Sequence, residues 1–155
     1  MQEQKTFEGL QDIRQRWVDA NKENNFDKGL NRLLTDLYPD NAHFIFELLQ
    51  NAEDAQASEV SFDLDNEGLW FEHNGRAFEL KDIESITSIG NSTKRDDPTS
   101  IGKFGVGFKA VFAYTESPFV YSGNYSFKII DLVIPIHVNN NEKPINTKFY
   151  FPFNY

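Results

Sequence analysis

The chain has 155 residues, which is the size of one domain. It carries 24 Asp and Glu residues against 15 Lys and Arg residues, so its formal net charge is -9. That charge argues against direct binding of nucleic acid or of an anionic membrane surface. The sequence has no cysteine and no apolar run of transmembrane length, and we expect no signal peptide because no charged-then-apolar pattern opens it. We therefore expect a cytoplasmic domain without disulfides or thiolate metal sites.

The first part of the chain is predicted to form helices. Residues 7–20 and 28–38 have apolar side chains at helical spacing. The chain then breaks, and Asp40 or Asn41 can cap a third helix that runs to about Gln56.

A β-hairpin and a short helix are predicted next. Strand-like residues 59–64 and 69–73 flank a turn sequence at residues 65–68. Residues 79–86 are predicted to form a helix. Residues 90–101 are rich in Ser, Thr, Asp and Lys, which is typical of a mobile loop.

The last third is predicted to combine one helix with three strands. Residues 105–114 can be helical, and residues 119–121, 126–134 and 148–153 are strand-like. Helices and hairpins in this order predict an α+β fold rather than a doubly wound sheet. We expect a two-layer α/β sandwich in which a mixed, mostly antiparallel sheet is covered by helices on one face.

The third predicted helix carries a stripe of polar side chains. At ~100° per residue, Glu47, Asn51 and Asp54 fall within roughly 60° of one another. This stripe fits the solvated face of an ordinary amphipathic helix. It also fits a site in which the Asn51 amide oxygen ligates Mg²⁺ and Glu47 takes a proton from an attacking water. The apolar residues cluster on the opposite side: Ile45, Leu48, Leu49, Ala52 and Ala55.

Glycines at positions 102, 105 and 107 form a G-x-x-G-x-G array that runs into a predicted helix. Glycine lets backbone N–H groups surround phosphate oxygens, and a helix N-terminus adds partial positive charge. The array is neither the dinucleotide-binding fingerprint nor a P-loop, because the spacing is reversed and no G-K-[ST] follows. Lys103 and Lys109 can pair with phosphate or can lie on a solvated surface.

Four motifs follow one another along the chain. They are Glu47-Leu-Leu-Gln-Asn51-Ala-Glu-Asp54-Ala, His73-Asn-Gly75-Arg-Ala-Phe, Gly102-Lys-Phe-Gly-Val-Gly-Phe-Lys and Asn146-Thr147-Lys-Phe-Tyr-Phe. Together they resemble the GHKL or Bergerat-fold ATP-binding domain of gyrase B, the ninety-kilodalton heat-shock chaperones, MutL and histidine kinases. The pattern of residues 38–55 is most similar to the sacsin-type, chaperone-like branch.

The resemblance implies a role for each matched residue. Glu47 matches the general base that activates water, and Asn51 matches the Mg²⁺ ligand. Thr147 matches the threonine that helps hold adenine, and residues 90–101 match the lid that closes over the triphosphate. The residues implied in ATP binding are Asn51, Asp54, His73, Asn74, Gly75, Lys94, Gly102, Lys103, Phe104, Gly105, Val106, Gly107, Phe108 and Thr147.

Three positions depart from the family pattern. His73 stands where the family has an Asp that accepts a hydrogen bond from the adenine amino group, and Ala77 replaces a glycine. A neutral imidazole can also accept one hydrogen bond, and Asn74 next to it offers an amide oxygen. A purely structural role for His73 at the end of the hairpin fits equally well. Asn146 replaces the usual glycine before Thr147, and Asn tolerates a left-handed backbone.

Charge is divided along the chain. Residues 33–75 contain ten carboxylates and no Lys or Arg, whereas residues 88–110 contain four Lys and Arg side chains against two Asp. A solvated acidic face with a basic loop explains this pattern. A metal-holding half that meets an anion-holding half explains it as well.

The function predicted from these motifs is Mg²⁺-dependent ATP binding and hydrolysis in a domain that acts as a conformational switch. We expect one domain over residues 1–155, with residues 1–40 as a helical extension, within a larger chaperone-like or defence-related protein. ATP and ADP are the expected ligands, and further domains of the polypeptide or a homodimer partner are expected to complete a slow ATPase. The alternative is a nucleotide-sensing or protein-interaction module that is catalytically weak or inactive.

Overall fold

The computed structural model describes residues 6–22, 43–87, 108, 111–112, 114–139 and 144–153. The helix predicted over residues 28–38, the capping residues Asp40 and Asn41, and the predicted lid at 90–101 lie outside these ranges. The described helices and strands are α1 (Phe7–Lys22), α2 (His43–Asp54), β1 (Val60–Leu64), β2 (Gly68–His73), α3 (Leu80–Ile86), β3 (Phe119–Ser122), β4 (Tyr125–Ile130), β5 (Ile134–His137) and β6 (Thr147–Pro152).

The six strands form one sheet in the order β1-β2-β6-β3-β4-β5. The last strand of the chain therefore lies between the second and the third. All the pairs between these strands are antiparallel. The predicted α+β class is confirmed, and β1 with β2 forms the predicted hairpin.

Alternate side chains of the central strands face the helices. On β6, Thr147, Phe149 and Phe151 are buried, and the residues between them are only half-buried. Strands β2, β3 and β4 show the same alternation, so one face of the sheet forms the floor of the core. Each of the described helices α1, α2 and α3 contributes apolar side chains to this core: Phe7, Leu10, Phe44, Leu48, Ile83 and Ile86.

The other face of the sheet carries a row of aromatic side chains. The ring of Trp70 stacks on that of Tyr150 with 4.4 Å between the centroids, and Tyr121 lies 6.2 Å from Trp70. Phe119 extends the row at 6.2 Å from Tyr150. These rings belong to the neighbouring strands β2, β6 and β3, so their contacts stabilise the strand register.

The single strand predicted over residues 126–134 is wrong, because the chain forms two strands there. Ile130 at the end of β4 pairs with Ile134 at the start of β5. Asp131 and Leu132 reverse the chain between them with φ angles of 48° and 72°. The sequence hides this turn, since an apolar leucine occupies a left-handed position that usually holds Gly, Asn or Asp.

Helix α1 is joined to the end of α3 by one side chain. Arg14 donates to the Thr87 hydroxyl at 3.2 Å and to the Glu84 carbonyl at 3.1 Å. At the other end of α1, Phe7 stacks on His137 of β5 with 3.7 Å between ring centroids. Among the described helices, none is long and apolar enough to cross a membrane.

Candidate functional site

Helix α2 turns a different face to the core from the one that its apolar pattern predicts. Leu49 is 38% exposed although the pattern places it inside. Asn51 lies about 20° around the helix from Phe44, which is buried. The predicted placement of Asn51 opposite the apolar face is therefore wrong. The buried row of this segment consists of Phe44, Leu48, Ala52 and Ala55.

The side-chain oxygen of Asn51 is buried as a result. Oδ1 has no hydrogen-bond partner among the described residues. Buried side-chain oxygens in native proteins are nearly always paired, so this atom needs an explanation. An amide oxygen can accept a hydrogen bond or ligate a hard cation.

Helix α2 ends in a Schellman motif in which glutamine takes the left-handed position. Gln56 has a φ angle of 62°. Its N–H donates to the Glu53 carbonyl at 2.9 Å, and the Ala57 N–H donates to the Ala52 carbonyl at 2.9 Å. These two bonds satisfy carbonyl groups that the helix leaves unpaired at its end.

The end of α2 packs directly against the loop after β2. The Ala55 carbonyl accepts a hydrogen bond from the Arg76 N–H at 2.8 Å. A Cβ atom on Gly75 would lie 2.6 Å from the same carbonyl oxygen, so only glycine allows this approach. Asn51 is one helical turn before Ala55, and His73 is two residues before Gly75. The contact therefore joins the two segments that carry these side chains.

His73 is the last residue of β2 and is 1% exposed. Its Nδ1 accepts a hydrogen bond from the Gly75 N–H at 3.0 Å. Burial lowers the pKa of His73 below its usual value, so the ring is neutral at pH 7. Since Nδ1 accepts, the proton of the neutral ring lies on Nε2. Nε2 is buried and has no partner among the described residues.

This arrangement corrects the role that the sequence analysis gives to His73. The one accepting nitrogen of the neutral ring is already used by the backbone of Gly75. The remaining nitrogen is a donor, so His73 cannot replace the carboxylate of the family's Asp as an acceptor.

Two buried hydroxyl groups lie beside His73. Thr147 pairs with His73 in the register of β2 and β6. The Thr147 Oγ1 is 2.6 Å from the Ser122 Oγ, and Ser122 accepts the Phe78 N–H at 2.7 Å. Either hydroxyl can donate to the other, so Thr147 can present a donor or an acceptor. Sequence reasoning missed Ser122, because a serine at an inward position of a strand carries no motif.

We call Asn51, His73, Ser122 and Thr147 together the α2–β2 site. Two of its buried polar atoms, Asn51 Oδ1 and His73 Nε2, lack partners among the described residues. Each such atom costs about 1–3 kcal/mol when it stays unpaired. A ligand that accepts from the imidazole and brings a cation or a donor to the amide would recover that free energy.

Two predicted site residues of α2 differ in their surroundings. Glu47 is half-buried and lies one turn before Asn51. Asp54 is exposed, and its carboxylate accepts a hydrogen bond from Gln50 at 3.1 Å. Glu47 therefore stays close to the α2–β2 site, whereas the structure does not bring Asp54 into it.

The side chain of Asn74 is occupied by the neighbouring loop. Its Oδ1 accepts from the N–H groups of Ser58 and Glu59 at 2.8 and 3.0 Å. Its Nδ2 donates to the Ser58 hydroxyl at 2.9 Å. Asn74 thus joins the loop before β1 to the end of β2, and its amide oxygen is used by these two backbone N–H groups.

Phe108 is a core residue in the structure. It is 1% exposed, and its ring centroid lies 6.0 Å from that of Phe149 and 6.1 Å from that of Phe151. It therefore stabilises the sheet from the helical side. The remaining residues predicted to contact phosphate lie outside the described ranges: Lys94, Gly102, Lys103, Phe104, Gly105, Val106 and Gly107.

Asn146 has a side-chain role rather than a backbone one. Its amide donates to the Glu72 carboxylate at 2.6 Å. Its φ angle is not positive, so its backbone is not left-handed. The hydrogen bond to Glu72, rather than a left-handed backbone, therefore explains the asparagine at this position.

No group of three or more His, Cys, Asp or Glu side chains in the described ranges could hold a metal ion. A cation at the α2–β2 site would therefore not meet a cluster of carboxylates or imidazoles among the residues described, and Asn51 Oδ1 is the unpartnered oxygen that could ligate it. Mg²⁺ tolerates this, because it usually keeps several waters and takes phosphate oxygens from its substrate.

Comparison with known proteins places the chain in a family. The family model of the Sacsin domain matches residues 66–151, which is more than half of the chain. The chain belongs to the Sacsin domain family. The matched span contains His73, Ser122 and Thr147, whereas Asn51 and Glu47 precede it.

Three relatives are much longer than this Sacsin domain. It is 36% identical to human Sacsin over 104 residues, covering 56% of this chain and 2% of Sacsin. It is 33% identical to Protein NO VEIN of Arabidopsis thaliana over 125 residues, covering 71% of this chain and 5% of that protein. It is 30% identical to the putative type II restriction enzyme HgiDII of Herpetosiphon aurantiacus over 100 residues, covering 60% of this chain and 16% of that protein.

Proposed function

We propose that this Sacsin domain binds a nucleoside triphosphate together with Mg²⁺ at the α2–β2 site and hydrolyses it. ATP is the nucleotide that the motif pattern implies. The observation that carries the proposal is the pair of buried, unpartnered polar atoms on α2 and β2, Asn51 Oδ1 and His73 Nε2. Leaving both atoms unpaired is costly, and a ligand between these elements removes that cost.

Asn51 fits the role of a magnesium ligand. Its oxygen is buried and unpartnered among the described residues, and amide oxygens are among the hard ligands that Mg²⁺ accepts. Bound there, Mg²⁺ would offset the negative charge of the phosphates. The core packing of Phe44 and Leu48 fixes the rotation of α2, so the amide is held in place before any ligand arrives.

Glu47 is the candidate general base. It lies one turn before Asn51 on the same face of α2 and is half-buried. In hydrolysis its carboxylate accepts a proton from water as the water oxygen attacks the terminal phosphorus and the bond to the leaving ADP oxygen breaks. The helix fixes the spacing of the backbone positions of Glu47 and Asn51, and phosphoryl transfer depends on such positioning of its catalytic groups.

We propose that hydrolysis switches the conformation of a larger protein. The three relatives contain the matched segment as 2–16% of their length, which supports a module that acts together with other domains. Those domains, or a second copy of the chain, are proposed to complete the catalytic site. A role like that of a restriction enzyme, which the name of HgiDII gives to that protein, has less support here, because the net charge of -9 opposes binding to phosphate backbones.

Thermal unfolding with Mg-ATP tests the binding step. A ligand at 100 times its dissociation constant adds about 2.7 kcal/mol to the free energy of unfolding. We expect the melting temperature to rise by about 5–10 °C. Asn51→Ala is expected to abolish the rise, and Gln50→Ala, at the exposed neighbouring position, is the matched control that keeps it. No rise with any purine nucleoside triphosphate at millimolar concentration would contradict the proposed function.

Single-turnover hydrolysis tests the role of Glu47. Glu47→Gln keeps the shape of the side chain and removes the base, so we expect turnover to fall at least about 100-fold with little change in nucleotide affinity. Glu53→Gln is the matched control, since Glu53 is an exposed carboxylate on the same helix. Equal losses of affinity and turnover in Glu47→Gln would show that Glu47 contributes to binding instead.

A further inference from the structure

The backbone that follows β2 determines which ring nitrogen of His73 carries the proton. The backbone N–H of Gly75 points at Nδ1 from 3.0 Å, and a proton on Nδ1 would face that N–H. The close packing of Gly75 on the Ala55 carbonyl holds this N–H in place. His73 is therefore fixed as the neutral tautomer that carries its proton on Nε2.

The hydroxyl groups next to His73 are adjustable, whereas His73 is not. Ser122 accepts from the Phe78 N–H and shares one proton with Thr147 across 2.6 Å. Depending on which hydroxyl donates, Thr147 offers a ligand either a proton or a lone pair. The fixed donor at Nε2 is thus the group that discriminates between ligands at this end of the site.

We propose that His73 is a specificity-determining residue of the proposed nucleotide site and donates its Nε2–H to an acceptor atom of the purine base. This inference rests on the proposed nucleotide binding. The acceptor is a ring nitrogen of adenine or the 6-oxo oxygen of hypoxanthine or guanine. The exocyclic amino group of adenine cannot fill this role, because two donors would face each other.

A panel of three nucleotides tests the proposal on the unmodified chain. ATP carries a 6-amino group, purine riboside triphosphate lacks it, and ITP carries an oxygen in its place. Each of these nucleotides is titrated by calorimetry in the presence of Mg²⁺. We expect the dissociation constants of purine riboside triphosphate and ITP to be no more than about three times that of ATP. A loss of tenfold or more on removal of the amino group would overturn the proposal and leave nucleotide binding itself intact.

A substitution that restores an acceptor gives the opposite result. In His73→Asp the carboxylate accepts from the amino group, so we expect ATP to bind about tenfold tighter than purine riboside triphosphate. His137→Asn removes an exposed imidazole from β5 and is the control that keeps the wild-type order. An unchanged order of affinities in a folded His73→Asp protein would contradict the proposal.

Nitrogen NMR of the histidine rings supplies a readout that does not depend on hydrolysis. We expect His73 to show a protonated Nε2 and a bare Nδ1 between pH 7 and 8, and the Nε2–H resonance to move when purine riboside triphosphate binds. A proton on Nδ1, or a resonance that does not move while the nucleotide binds, would overturn the proposal. If no nucleotide in the panel binds, the proposed function fails, and this inference fails with it.

Discussion

His73 couples the stability of the fold to pH. Burial lowers the pKa of its ring, so the unfolded chain binds a proton at a higher pH than the folded chain does. The free energy of unfolding is therefore expected to fall as the pH drops below about 6.5, by up to about 1.4 kcal/mol per pH unit. Urea denaturation at pH 5, 6, 7 and 8 measures this slope.

Separate substitutions of His73 and His137 show which of these two histidines causes the pH dependence. His73→Gln removes the titration but keeps a neutral donor, so its stability is expected to change less between pH 7 and pH 5. His137→Gln is the control, because His137 lies on the far strand β5, where its side chain is exposed and contacts Glu8 of α1. A steeper acid dependence in His73→Gln than in the wild type would contradict this assignment.

Gly75 is required by packing. In Gly75→Ala the new methyl group would lie 2.6 Å from the Ala55 carbonyl oxygen, so the end of α2 and the loop after β2 must separate. We expect a loss of about 1–3 kcal/mol in the free energy of unfolding, measured by chemical denaturation. Gly9→Ala is the matched control, since its methyl group meets only the Thr6 hydroxyl at 3.1 Å and should cost much less.

The residue in the left-handed position after helix α2 has a side chain that disfavours this backbone conformation. Gln56 occupies the left-handed position of the Schellman motif with a φ angle of 62° and is exposed. Gln56→Gly is expected to raise the free energy of unfolding by about 1 kcal/mol, because glycine adopts this conformation without strain. Gln50→Gly inside the same helix should lower it by about 1 kcal/mol. Denaturation curves that show a loss for Gln56→Gly would contradict this account of the helix end.

The helices and strands with regular apolar spacing, and the turn at residues 65–68, could be predicted from the sequence, whereas the turn between β4 and β5 and the rotation of α2 could not. Helix α1, the β1–β2 hairpin and β6 follow their patterns closely. The turn between β4 and β5 was missed, because Leu132 hides it among apolar neighbours. The rotation of α2 was also missed, since it depends on whether Phe44 or Leu49 packs on the sheet, which is decided by tertiary contacts.

At the candidate site, the sequence could name residues but not their hydrogen bonds. Thr147 and His73 were predicted and lie on paired positions of neighbouring strands. The same motif also named Asn74, whose side chain is occupied by Ser58 and Glu59. The protonation of His73 depends on one backbone N–H two residues further on, which no motif encodes.

The net charge of the whole molecule leads us to predict that the metal binds together with the nucleotide. The net charge of -9 opposes the approach of a nucleoside triphosphate, which is itself an anion, and a cation bound with the nucleotide would reduce this repulsion. At the α2–β2 site the described residues offer a cation the amide oxygen of Asn51 and no cluster of carboxylates, so waters and phosphate oxygens would complete the coordination of a bound Mg²⁺. Metal and nucleotide are therefore expected to bind together.

Chelation of the metal tests this coupling. With EDTA in place of Mg²⁺ we expect ATP affinity to fall by at least about 100-fold, and the remaining weak binding to strengthen as salt rises, because salt screens the repulsion. Adenosine is the matched control: it has no phosphates, so neither Mg²⁺ nor salt should change its binding much. Calorimetry at two salt concentrations measures both. If ATP bound equally well without Mg²⁺, charge neutralisation by the protein's own cations would have to replace the metal, and Asn51→Ala would then leave the affinity for ATP unchanged.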